Sequence, residues 1–285
     1  MTSSTGTTAV SFEVYPPRTP DKMPALQESI TILNRVDPDF ISVTFGAGGS
    51  STRDSLEVLR FIRDHSVATP LAHLTCVGTT RNEANALVSS FLDEGIDHFL
   101  ALRGDLPESS SEHHGELEHA SDLVELMMAL DHHQRRPHTV AVAAFPNGHP
   151  ESASKEADIE TLLVKQQAGA SLAITQLFFY TEDYLSFVES ARSAGVEIPI
   201  LPGLMPITSP GRLERVLELS GEKNPSELAT ALAGAQTPEA REEIGVTWSA
   251  NMVRELVATG VPGIHLYAFN QHRTVLSVVE QAGVR

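Results

Sequence analysis

Glu13, Thr44, His73, Arg103 with Asp105, His149 and Gln176 share one placement. Each stands at the end, or just past the end, of a short apolar run rich in strand-forming residues. Together they offer carboxyl, hydroxyl, imidazole, guanidinium and amide groups, a set suited to acid and electrostatic roles. Glu13 lies between Phe12 and Val14. Desolvation there is expected to raise its pKa, so that it can deliver a proton near neutral pH, a contribution of about 10²–10⁴ in rate. Asp105 faces the opposite pressure, because Arg103 and the amides of a turn favour its ionised form. Two carboxyl groups with separated pKa values can divide acid and electrostatic roles. Plainer readings stand beside these. Glu13 could be a pore-facing carboxylate paired with an arginine, Thr44 an ordinary strand residue, His73 a satisfied core histidine, and Gln176 a bridge between strands.

The elements that must carry these residues follow from periodicity. The stretch Ala101-Leu102-Arg103-Gly104-Asp105-Leu106-Pro107 closes one apolar run, and its glycine permits a sharp turn or a close approach to a ligand. Eight such runs recur, at 10–14, 40–44, 70–74, 98–102, 139–144, 172–176, 198–201 and 263–267. Helical patterns follow them at 21–36, 53–65, 81–94, 120–130, 154–167, 182–194, from Pro210, and 271–281. The acidic, alanine-rich segment 222–245 is expected to hold one or two extra helices before a longer one at 246–259, and 109–117 reads as a loop. Eight strand–helix pairs in 285 residues predict an α/β fold, a (β/α)8 TIM barrel forming a single domain over 1–285, with 1–9 as a frayed tail. A doubly wound sheet would place a glycine-rich phosphate turn after the first strand, where this chain has Tyr15-Pro16-Pro17.

Net charge is −17, from 37 acidic and 20 basic residues, which argues against nucleic acid or an anionic membrane as partner. Any anionic ligand must be held by a few local cations. No signal-peptide pattern or bilayer-length apolar run is present, and a single cysteine, Cys76, cannot form an internal disulfide; a cytoplasmic protein is expected. Cys76 reads as a small buried hydrophobe. No histidine pairs with Cys, Asp or Glu at zinc-ligand spacing, so no metal is expected.

Ser11-Phe12-Glu13-Val14-Tyr15-Pro16-Pro17 resembles the opening motif of the bacterial 5,10-methylenetetrahydrofolate reductases. Ser42 to Gly49, His73-Leu74-Thr75-Cys76, Leu102 to Pro107, Pro146 to Glu151, Ala173 to Phe179 and Pro202 to Pro206 continue the likeness in order. The resemblance runs from Ser11 to Arg285, along the catalytic barrel. It implies reduction of 5,10-methylenetetrahydrofolate to 5-methyltetrahydrofolate by NAD(P)H, with NADH favoured, feeding methionine synthesis. Glu13 would protonate the folate ring nitrogen and open the five-membered ring to a 5-iminium cation. Asp105 would stabilise that cation, and Gln176 would bind the pterin. Thr44, His73, Leu102, Arg103, Gly104, Asp105, His149, Asp158 and Lys165 stand where the family contacts FAD.

The chain departs from that pattern. His119 and Phe145 stand where the family usually has FAD-binding tyrosines. Leu162-Leu163-Val164 lacks the basic or polar residue of relatives, leaving Lys165, and Phe269-Asn270-Gln271 replaces leucine, asparagine and a basic residue. Two cofactor readings therefore stand: the flavin relay of the family, and direct hydride transfer from NADH without flavin. Two other classes stay open: a catalytically idle folate-binding homologue, and a flavin-dependent barrel dehydrogenase of the proline dehydrogenase type. Oligomeric state is not legible.

Overall fold

Strand and helix alternate along the chain because period-two apolar runs are each followed by a stretch with an apolar helical stripe. The computed structural model describes residues 8–44, 52–104, 115–130 and 135–284. The strands are β1 (Val10–Val14), β2 (Phe40–Val43), β3 (Thr69–Thr75), β4 (His98–Leu102), β5 (Thr139–Ala144), β6 (Leu172–Thr175), β7 (Ile200–Leu201), β8 (Gly203–Leu204) and β9 (Ile264–Tyr267). All described pairings are parallel, in the order β7-β6-β5-β4-β3-β2-β1-β9-β8. The helices are α1 (Met23–Leu33), α2 (Thr52–His65), α3 (Arg81–Asp93), α4 (Ala120–Ala129), α5 (Lys155–Gln167), α6 (Thr181–Ser193), α7 (Pro210–Ser220), α8 (Ser226–Gly234), α9 (Pro238–Ala258) and α10 (His272–Ala282). The expected (β/α)8 barrel is the fold.

The seventh strand differs from expectation. It is broken at Pro202: β7 pairs with β6, and β8 pairs with β9, so the two short pieces together close the ring. Proline supplies no N–H to a ladder, and its carbonyl instead accepts from the His265 amide at 3.0 Å. Gly203 is obligatory here, since a Cβ would sit 2.2 Å from the Thr175 carbonyl and 2.8 Å from the Tyr267 ring.

The long helix α9 starts at Pro238, earlier than the predicted 246. Thr237 caps it by accepting from the Ala240 amide, with Pro238 in the first turn. Gly245, the last residue of the segment read as preceding that helix, lies inside it, where a Cβ would meet the Ile207 carbonyl at 2.1 Å. The segment before it holds one whole helix, α8, and the first turns of α9. Two further expectations are corrected. Ala9, read as part of a frayed tail, accepts a backbone bond from Ile264 at 2.8 Å, which extends the β1–β9 ladder; residues 1–7 lie outside the described residues. Most of the loop read at 109–117 also lies outside them, but Leu117 is buried in the core and the Glu116 amide donates to Thr79.

Alternation divides the core in two. Phe12, Ile41, Val43, Leu74, Phe99 and Val142 point outward against the helices, in the main cluster. Leu71, Leu100, Ala141, Ile174 and Leu201 point inward and plug the barrel, with Phe40 and Leu102 packed on them. Above this plug the inward positions turn polar.

Candidate active site

Register decides which polar side chains meet. In parallel strands, residues in register share a face. Glu13 is aligned with Ser42 on β2 and with Tyr267 on β9, and Ser11 with His265. Ser11 and Glu13 straddle the outward Phe12, so both face the barrel interior. Inward side chains of neighbouring strands therefore bring Glu13, Ser42 and Tyr267 together, and His73, two residues past the Leu71 that aligns with Ser42, reaches Glu13 from β3, at the C-terminal ends of the strands where (β/α)8 barrels carry their sites.

Glu13 sits between two buried histidines. Its Oε2 lies 3.7 Å from His73 Nε2 and 3.9 Å from His265 Nε2, both beyond hydrogen-bond length. Its carboxyl has no hydrogen-bond partner among the described residues and opens on a cavity of about 850 Å³ that Thr44 also lines. Among the described residues no arginine pairs with it; its neighbours are the two histidines. Burial pushes His73 below the ordinary imidazole range, against the pull of Glu13, so His73 is neutral near pH 7. His265 is fixed by Ser11 Oγ, 2.8 Å from its Nδ1, and is stacked on Phe40. Burial, followed by the Glu13 charge, holds the Tyr267 phenol well above its usual pKa, and that phenol donates to the Thr175 carbonyl at 2.6 Å.

Ser42 Oγ, Thr44 Oγ1, His73 Nε2 and His265 Nε2 are all buried without a hydrogen-bond partner. Buried polar atoms are normally satisfied. Four of them gathered around one unpaired carboxyl mark a place built for a polar ligand. Gln176, just past β6, accepts from the Leu177 amide at 2.9 Å through its Oε1, and its NH₂ is unbonded among the described residues. Asp105 lies outside the described residues.

The remaining predicted residues form a second cavity of about 560 Å³ at the ends of β4 and β5. It is lined by Leu102, Arg103, His119, Phe145, His149, Asp158 and Lys165 among others. Gly104 makes the turn after β4 at φ 88°, packed so closely on Val77 and Thr75 that a Cβ would fall 2.9 Å from the valine. Arg103 is ion-paired with Glu151 at 2.7 Å, which holds the Glu151 carboxyl below its usual range. Asp158 accepts from the His149 amide at 2.9 Å and from Ser152 Oγ at 2.5 Å, so it builds the loop after β5. Lys165 is buried and donates to the Ala143 carbonyl at 2.9 Å; burial brings its pKa down to about 8, with Asp158 opposing. The Phe145 ring meets His149 edge-on at 4.7 Å. Cys76 is buried, and its thiol is pushed up to about 11, as an inert core residue.

Strand-end polarity located Glu13, Thr44, His73 and Gln176. It missed Ser11, Ser42, His265 and Tyr267. The signal for these was alternation inside the strands: Ser11-Phe12-Glu13 and His265-Leu266-Tyr267 each place two polar groups on one face.

The model of the family described as methylenetetrahydrofolate reductase matches residues 1–283. The 5,10-methylenetetrahydrofolate reductases of Salmonella typhimurium and Escherichia coli are each 34% identical over 278 residues, 97% of this chain and 91% of theirs. An Arabidopsis thaliana protein named methylenetetrahydrofolate reductase (NADH) 1 is 31% identical over 98% of this chain and 49% of its own length. Among solved structures, a Clostridium thermocellum protein described as binding two copies of 5-methyl-5,6,7,8-tetrahydrofolic acid shares the fold. Its TM-score is 0.66 at 14% identity, over 96% of both chains. The chain belongs to the methylenetetrahydrofolate reductase family.

Proposed function

We propose that this protein reduces 5,10-methylenetetrahydrofolate to 5-methyltetrahydrofolate with hydride taken directly from NADH. The observation that carries the reading is the unpaired Glu13 carboxyl, held among unsatisfied buried polar atoms and open to a cavity. Glu13 gives its proton to the folate ring nitrogen that departs, and the five-membered ring opens to a 5-iminium cation. Hydride from the nicotinamide then adds to the iminium carbon, which becomes the methyl group, and NAD⁺ leaves. Neither His73 nor His265 forms a short ion pair with Glu13, at 3.7 and 3.9 Å, so its carboxyl stays open to the substrate. Gln176 offers its NH₂ to the pterin, and Asp105 is assigned the stabilisation of the cation. The NADH-named plant relative agrees with this choice of donor.

The described lining of the β4–β5 cavity fits a resident FAD poorly. Its two cations are committed, Arg103 to Glu151 and Lys165 to a buried backbone carbonyl. Asp158 and Glu160 add negative charge, and an exposed Val164 stands on the same wall. A permanently held flavin needs its pyrophosphate neutralised. A coenzyme that comes and goes needs only micromolar to millimolar affinity, about 4–8 kcal/mol of binding.

The test is the visible spectrum of the purified protein before and after incubation with FAD and desalting, followed by turnover. A colourless protein that oxidises NADH only when methylenetetrahydrofolate is present supports the proposal. A retained flavin band would overturn direct transfer, and a colourless, inactive protein would make it an idle homologue. Glu13→Gln is expected to lower kcat by about 10²–10⁴ while NADH still binds; unchanged turnover would remove Glu13 from the mechanism.

A further inference from the structure

We propose that the cavity between the start of α6, α8 and α9 binds a small cationic amino alcohol whose nitrogen is alkylated. This second site is built from helices rather than strand ends and takes no part in the folate chemistry above.

The cavity holds about 310 Å³ and is walled by Tyr180, Glu182, Glu227, Trp248, Met252 and Glu255, among others. That volume lies at the lower end for small-molecule sites. Local structure brings the parts together. Tyr180 caps α6, which puts Glu182 in its first turn, and Glu227 stands in the first turn of α8. Trp248, Met252 and Glu255 follow one another at i, i+4 and i+7, on one face of α9.

Three carboxylates line the cavity, and among its described lining residues there is no lysine, arginine or histidine. Elsewhere Glu94, Glu151 and Glu218 each hold an arginine. Here Glu227 accepts from the Tyr180 phenol at 3.3 Å, and Glu255 from Thr181 Oγ1 at 2.6 Å. These bonds orient the carboxylates and leave their charge unneutralised. Burial, followed by the charge of Glu227, raises the Tyr180 phenol above its usual pKa, so it keeps its proton and donates.

Aromatic rings set this place apart from an ordinary solvated acidic surface. Tyr180 and Trp248 meet edge to face, 6.2 Å apart at 74°, and Tyr180 is 37% exposed. Two rings at such an angle, with carboxylates beside them, attract a cation that sheds its water easily. Methyl groups on an ammonium serve that end, and the Met252 thioether adds a polarizable wall. Trp248 carries a further mark. Among the described residues five side-chain polar atoms are buried without a partner; four surround Glu13, and the fifth is Trp248 Nε1. A buried indole N–H usually finds an acceptor. A hydroxyl beside the ammonium would supply one, whereas a carboxylate would be repelled by the three glutamates.

Trp248 is the only tryptophan of the chain, so the fluorescence of the intact protein reports this cavity directly. Choline chloride would be titrated at constant ionic strength, balanced with sodium chloride. Its uncharged isostere 3,3-dimethylbutan-1-ol and tetramethylammonium, which lacks the hydroxyl, would be titrated beside it. The expected result is a saturable change with a Kd of about 0.1–10 mM for choline. The neutral alcohol should bind about tenfold more weakly, and tetramethylammonium a few-fold more weakly. Glu227→Gln/Glu255→Gln keeps acceptors for Tyr180 and Thr181, removes two charges, and should weaken choline about tenfold. Both side chains are exposed, so the variant is expected to fold, and its unliganded emission spectrum should match wild type. No saturable change with choline would overturn the proposal. So would choline bound no more tightly than either companion probe, or choline binding undiminished in the variant.

Discussion

His73 occupies the position with the sharpest conflict between chemistry and environment. It is 5% exposed, its Nε2 is unsatisfied, and desolvation lowers its pKa despite the carboxylate 3.7 Å away. An imidazolium at that place would clamp Glu13 in an ion pair and hold it ionised. The neutral ring makes no such pair. A folding consequence follows from the same shift. Below about pH 6.5 the unfolded chain binds a proton at this residue that the native protein refuses, so stability falls as pH falls. Urea midpoints measured from about pH 7 down to pH 5 should decline more steeply in wild type than in His73→Gln, which has nothing to titrate there. Equal slopes would show that His73 is protonated in the native protein.

At the scale of elements, the broken seventh strand positions the layer that holds Glu13. Gly203 lets β8 pass close enough to β6 and β9 for its amide to reach Thr175 Oγ1 at 2.9 Å, while the Tyr267 phenol reaches the Thr175 carbonyl. Gly203→Ala places a methyl group against backbone that cannot retreat. It is expected to cost about 1–3 kcal/mol or more and to lower Tm by several degrees. A Tm within one or two degrees of wild type would mean that the ring closes by other contacts. This element was only half legible in the sequence. Ile200-Leu201 reads as a strand, but Pro202 and Gly203 carry the two residue types most depleted from strands, so the run looks finished where it pairs with its second neighbour. The other strands were legible because no proline or glycine falls within their runs past the first residue. Glu13 and His73 were legible because a polar group inside or ending such a run stands out. His265 and Ser11 were not, since their partnership depends on the register between β1 and β9, which join residues more than 250 positions apart. The left-handed backbone of Phe269 was hidden for a further reason: nothing in Phe269-Asn270-Gln271 announces it.

For the molecule as a whole, the distribution of charge separates two cavities that the barrel places on opposite sides of one ring of strand ends. Among the described lining residues, the β1 side presents Arg18 and Lys22 with Glu13 as its one acid, and the β4–β5 side presents committed cations among carboxylates. Lys165 sets the cost of that second arrangement. Its pKa falls from 10.5 to about 8 on folding, a penalty on the order of 3 kcal/mol when the side chain is charged. Below pH 8 both native and unfolded chains carry the proton, and the penalty is present in full. Between about pH 8 and 10.5 the unfolded chain still holds a proton that the native chain has released, so this residue makes stability rise with pH across that window. Lys165→Met keeps most of the buried volume and removes the charge. The variant should be more stable than wild type at pH 7, with the difference shrinking as pH rises from about 8 towards 10.5. A difference that stays constant over that range would mean that the ammonium group is stabilised in place.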